Sequence, residues 1–137
     1  MYRESSSEEL VYLAFSGHVI ALFRDRGEVA WRHDLGTRNE TSIHVEEDVV
    51  LAVCGSELVA LDPTDGTLQW RTLLPFAQAT PALMLVDRDA IFLSQSGEIA
   101  CVDRAGALRW SDPLSGTGYG VPMLAVRGRS ARLTDRG

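Results

Sequence analysis

Three glycines and three tryptophans recur at one spacing, and that spacing limits the fold more than anything else in the chain. Gly27, Gly66 and Gly106 stand 39 and then 40 residues apart, and Trp31, Trp70 and Trp110 repeat those two intervals. The segments around them superpose: 19–31, 58–70 and 99–110 each run from an apolar stretch through a turn and a glycine to a tryptophan. All the tryptophan in the protein therefore belongs to one repeat position. A repeat of this length is one supersecondary unit that cannot bury its apolar faces alone, so its copies must stack.

Each unit reads as four short strands. The first begins near residues 80–86 and the second at 90–93, which matches 49–53 and 11–15. These runs, like the third strand at 58–61, are continuously apolar and rich in β-branched and aromatic residues, so both faces of such a strand are expected to be buried. The fourth strand alternates: Val29 and Trp31 around Ala30, Leu68 and Trp70 around Gln69, Leu108 and Trp110 around Arg109. A period of two predicts the apolar pair on one face of a half-exposed outer strand. Between third and fourth strands, Asp62-Pro63-Thr64-Asp65-Gly66 holds a turn-starting Asp, a φ-locked Pro and a Gly able to take positive φ. The other copies, Arg24-Asp25-Arg26-Gly27 and Arg104-Ala105-Gly106, keep the glycine and change the carboxylates. The constant element is backbone geometry rather than a calcium site.

Four antiparallel strands with a buried middle and an amphipathic edge make a β-propeller blade, so the expected fold class is all-β, a β-propeller of four-stranded blades. A β-sandwich offers no reason for turn and tryptophan to recur every 39–40 residues. The tryptophan is suited to wedge between adjacent blades. The expected layout is one repeat domain over 1–137, with a polar segment at 1–9, repeats at about 10–36, 41–73 and 80–112, and a partial repeat at 120–137.

The order of apolar strand, Ala60-Leu61-Asp62, turn, Gly66 and Trp70 resembles the pyrroloquinoline-quinone-type (PQQ-like) propeller repeat. The resemblance extends from about Leu10 to Val126. It implies a propeller and leaves the function open, because the family holds quinone-dependent dehydrogenases beside non-catalytic assembly and scaffold proteins. The dehydrogenases resemble one another in an adjacent cysteine pair over the quinone, whereas Cys54 and Cys101 are far apart here. Those enzymes also need a full ring. No cofactor and no enzymatic activity are therefore expected.

The repeats add up to about three and a third blades, fewer than the roughly four to eight of closed propellers. The first unit lacks a clear first strand unless residues 2–8 supply it, and the last matches only the start of a blade. An open stack would expose apolar faces and strand edges. A second copy completing the ring, or blades on another polypeptide, would resolve this. The expected function is a non-catalytic interaction module or scaffold, completed by self-association. A fragment of a quinone-dependent dehydrogenase and a small-ligand or carbohydrate-binding propeller are the alternatives.

Composition narrows the partners. The net charge is −6 and all 13 basic residues are arginine. That balance argues against tracking a phosphate backbone, and the lack of lysine excludes Schiff-base and P-loop chemistry. No apolar run nears the roughly 18 residues that cross a bilayer. The polar, acidic start lacks an apolar leader segment, so a cytoplasmic location is the expectation. Cys54 and Cys101 lie in apolar runs and read as free, buried thiols. His18, His33 and His44 show no metal-ligand spacing. The Gly-rich run 115–120 reads as a loop between blades. Loops between blades and between second and third strands emerge on one propeller face, which makes His18, Arg38, Asn39, Ser56, Gln78, Gln95 and Tyr119 the candidate binding residues.

Overall fold

The computed structural model describes residues 9–36, 40–76, 82–114 and 123–132. Within them every regular element is a strand, and the strands form antiparallel meanders. Leu10–Phe15 (β1), His18–Phe23 (β2) and Val29–Asp34 (β3) make the first sheet. Thr41–Val45 (β4), Val50–Cys54 (β5), Glu57–Leu61 (β6) and Leu68–Leu73 (β7) make the second. The third contains Leu83–Val86 (β8), Ala90–Gln95 (β9), Glu98–Asp103 (β10) and Leu108–Asp112 (β11). Met123–Val126 (β12) pairs with Arg129–Arg132 (β13) to start a fourth. The first strands β4, β8 and β12 lie beside one another, as blades around an axis require. The all-β propeller expectation therefore holds, as part of a ring. Residues 2–8, 80–81 and 115–120 lie outside the described residues.

Tight turns join the second and third strands of each sheet. Ser16 (φ 49°) and Gly17 (φ 83°) both have positive φ, as do Ser96 (φ 51°) and Gly97 (φ 92°). Two positive-φ central residues define the type I′ turn, whose twist matches that of paired strands.

The turn between third and fourth strands is the same device three times. Gly27, Gly66 and Gly106 all have positive φ, and each donates its N–H back across the turn, to Phe23, Asp62 and Asp103. The carboxylates serve the backbone. Asp62 accepts from Thr64, Asp65 from Thr67, and Asp103 from the N–H groups of Ala105 and Ala107. Those bonds hold the carboxyls of Asp65 and Asp103 below their ordinary pKa.

Two expectations about the strands need correction. The fourth strands do not keep period two. A β-bulge sits in each, so Trp31 faces Ala21 while Val29 faces Leu22, with Ala30 skipped; the same shift recurs at Gln69 and Arg109. A bulge adds one residue and redirects the side chains around it. Trp31 is buried and Val29, two residues before it, is exposed. Nor is β1 buried on both faces. Val11, Leu13 and Phe15 are 52%, 47% and 50% exposed, whereas their counterparts Val50, Ala52 and Cys54 are at most 3% exposed. Pattern alone fails here because the second and third sheets have a preceding sheet to pack on, and β1 has none among the described residues.

The sheets are joined by a repeated contact. Trp31 lies flat over Gly66 of the next sheet, so that a Cβ there would fall 2.4 Å from the indole. Trp70 lies likewise over Gly106, where a Cβ would fall 2.6 Å from it. Trp31 also donates its indole N–H to the Pro63 carbonyl at 2.9 Å, and Tyr12 donates its hydroxyl to the same oxygen at 3.0 Å. Around these contacts Val19 and Ala21 pack on Val50, Ala52 and Leu61, and Leu51, Val53 and Ala60 pack on Ile91, Leu93 and Val102. Gly66 and Gly106 thus meet two demands, a left-handed backbone and the absence of a side chain under an indole. Gly27 meets only the first, since nothing lies within 4 Å of its Cβ position.

That difference sets a stability test. Gly27→Ala is expected to cost about 1–2 kcal/mol, the left-handed penalty alone. Gly66→Ala and Gly106→Ala add a collision with an indole, typically about 1–3 kcal/mol more. Urea unfolding of the three variants, at a dilution where the chain is a monomer, checks the order.

Candidate functional site

Alternating strand direction sorts the loops onto two ends of the stack. One end carries the second-to-third-strand turns and the connections between sheets. The other carries the first-to-second-strand and third-to-fourth-strand turns. The sequence places the binding residues on the first end.

On that end His18 opens β2 and its Nδ1 hydrogen-bonds the carboxylate of Asp34, which closes β3. This contact, with Arg32 nearby, holds the Asp34 carboxyl below the usual carboxylate range. Ser56 lies in the turn after β5, where its carbonyl accepts the Leu74 N–H at 2.6 Å. Gly17 is tied twice: its carbonyl accepts from Leu35 and its N–H donates to the Thr41 hydroxyl. These bonds anchor each connection between sheets to the turn beside it. Gln95 is not at the surface. It is wholly buried between sheets and its amide donates to the Gly55 carbonyl at 3.4 Å. Arg38, Asn39, Gln78 and Tyr119 lie outside the described residues. Of the expected face, the described residues therefore bring together short turns and backbone ties around His18 and Ser56.

The opposite end holds a cluster that the sequence reading missed. Arg104, in the β10–β11 turn, pairs with Glu46, in the β4–β5 turn, and donates to the Asp87 carbonyl at 2.7 Å. His44 Nε2 reaches Glu46 at 3.1 Å. Burial disfavours the charge on Glu46, but His44 and Arg104 outweigh it and hold the carboxyl below its ordinary value. A cleft of about 370 Å³ opens beside this pair, lined by Asp48, Gln69, Trp70 and Arg88 among others. Acids and arginines line it together, with no excess of one charge. The only signal for the pair was that Arg104 stands where Pro63 does, a turn position whose exposure the strand pattern does not reveal.

Cys54 and Cys101 are both buried, and neither is in a disulfide. Burial pushes the Cys101 thiol up, away from the thiolate that nucleophilic chemistry needs. Among the described residues no group of three or more His, Cys, Asp or Glu side chains is placed to hold a metal ion. No helix among them is long and apolar enough to cross a membrane.

Apolar side chains are exposed on several strands, Leu73 of β7 the most at 74%. Val11, Leu13 and Phe15 form a stripe on the first sheet. Trp110 is 47% exposed on the third, against 8% for Trp31, and Met123 and Leu114 are exposed after it in the chain.

Comparison with known proteins agrees with this geometry. The family profile described as outer membrane protein assembly factor BamB matches residues 3–137. The crystal structure of BamB from Moraxella catarrhalis superposes with a TM-score of 0.53 at 19% identity, covering 74% of this chain and 33% of that one. This chain thus spans about a third of that protein's length. No curated protein matches the chain.

The Glu46–Arg104 tie gives a pH prediction. A lowered carboxyl pKa adds stability above the ordinary value of 4.5, and that stability is lost as pH falls through the lowered value. Arg104→Ala should cost roughly 1 kcal/mol at pH 7, as a half-exposed pair does. The gap to wild type should narrow as pH falls below 4.5 and through the lowered value of Glu46, as measured by unfolding at a series of pH values.

Proposed function

This chain belongs to the PQQ-like propeller-repeat family of the outer membrane protein assembly factor BamB, and from that premise we propose that it is a non-catalytic protein-interaction module whose ring is completed by self-association. The observation that carries this reading is the apolar stripe Val11, Leu13 and Phe15, uncovered among the described residues, on a sheet face whose counterparts are sealed in the second and third sheets. An exposed apolar surface flanked by polar residues marks a protein contact. The chemistry of the chain supports the same reading. The turn carboxylates bind their own backbone, and the charged cluster around Glu46 is a tie between sheets. A cytoplasmic, reducing setting, in which buried cysteines such as Cys54 and Cys101 stay out of disulfides, is part of the proposal.

Sedimentation velocity over a concentration series tests it. The expected result is a species heavier than the 15.0 kDa monomer that grows with concentration. A well-folded monomer throughout would overturn self-association. Quinone and calcium titration is expected to leave the absorbance spectrum unchanged; a saturable change would favour the dehydrogenase-fragment alternative.

A further inference from the structure

Inside the chain the sheet-to-sheet contact is directional. The tryptophan of one sheet lies on the glycine turn of the next, Trp31 on Gly66 and Trp70 on Gly106. Among the described residues one indole and one glycine turn make no such contact, Trp110 and Gly27. Resting on the self-association reading, we infer that they are the two halves of a third joint, in which Trp110 of one copy seats on the Gly27 turn of a second copy.

Both halves already have the shape the joint needs. Gly27 has φ 74° against 77° for Gly66, and each donates to the carbonyl four residues back at 2.8 Å. The two turns are closed alike by a second bond of 2.8 Å, Phe23 to Glu28 and Asp62 to Thr67. They differ in that the space over Gly66 holds an indole and the space over Gly27 is open. On the other side, Trp110 leans on Phe92 with ring centroids 6.3 Å apart at 49°. Trp31 leans on Tyr12 at 6.0 Å and 52°, and Tyr12 and Phe92 hold the same place in β1 and β9. The indole is thus held in its docking posture before it has anything to cover. The charges of the Gly27 turn are balanced locally, Arg24 by Glu9 and Arg26 by Asp25 and Glu28, so the joint rests on shape and apolar contact.

The surrounding surface extends the joint. The stripe of Val11, Leu13 and Phe15 beside Gly27 corresponds to Ile91, Leu93 and Gln95, which are fully buried on the preceding sheet. The fourth sheet holds first and second strands, β12 and β13, and the first sheet holds second, third and fourth strands, β1 to β3. In this arrangement an entering copy sets its β1 to β3 beside β12, and β13 yields its place to β1 of that copy. The contact is head-to-tail, so it must close into a ring or grow as a filament. Two copies with composite blades give about six blades, within the roughly four to eight of closed propellers.

The test uses two variants that break opposite halves. Gly27→Asn keeps a left-handed backbone that asparagine tolerates, yet places a side chain where the incoming indole must lie. Trp110→Glu replaces the half-exposed indole with a charge. Each alone should weaken association at least about thirtyfold, the loss expected for a central interface tryptophan. Mixed, they should restore a one-to-one heterodimer, because the mixture contains one intact Trp110 half and one intact Gly27 half. Leu13→Glu, at an exposed position on the same face as Gly27, should behave as Gly27→Asn does. It stands in for Gly27→Asn if the circular dichroism of that variant departs from wild type. Wild-type association in either single variant, or no recovery on mixing, overturns the joint and leaves self-association standing. A monomeric wild type overturns both.

Discussion

The stack depends on an indole lying on a bare peptide turn. Trp31 over Gly66 and Trp70 over Gly106 bring consecutive sheets close enough for their apolar faces to seal. A tryptophan offers a large flat surface and one polar atom, and Trp31 places that N–H on the Pro63 carbonyl of the facing turn. The turn must be glycine for two reasons at once, a positive φ and the lack of a Cβ under the ring. Without this contact each sheet would be a small meander with two apolar faces and no partner.

The rest of the architecture follows from that contact being directional. A sheet in the middle of the stack gives a tryptophan forward and offers a glycine backward. Among the described residues the first sheet offers a glycine turn with no indole on it, and the third gives a tryptophan that covers no glycine turn. This is why the same residue type at the same repeat position has opposite fates: Val50 is sealed and Val11 exposed, Trp31 buried and Trp110 half in solvent. The exposed stripe is an interior face that lacks a neighbour. The loop ends of the stack differ in kind, being held by backbone hydrogen bonds at one end and by the Arg104–Glu46 pair at the other.

Much of this was legible in the residues. The Gly-to-Trp interval pointed to stacked four-stranded units, the Asp-Gly turns announced the hairpins, and the tryptophans were read as wedges between blades. The bulges were not legible, because an extra residue in a strand leaves no mark in an apolar–polar alternation when both flanking residues are apolar, as Val29 and Trp31 are. Gln95 was misplaced for a related reason. A glutamine beside a turn reads as surface, yet β9 carries it into the contact with the preceding sheet, where the Gly55 carbonyl accepts from its Nε2. The Glu46–Arg104 tie joins residues of different repeats, and no local pattern pairs them.

The sequence by itself determined the unit: four strands, their turns, the glycine and the tryptophan, since these rest on local backbone preference and on a period that repetition makes plain. Tertiary structure alone decided which faces of those units are interior. Burial is a property of a face and its neighbour together, and identical patterns in β1 and β5 have different neighbours. For the same reason the repeat identified Gly27 and Trp110 as structural positions, and only the stacked sheets showed that, among the described residues, neither has met its partner.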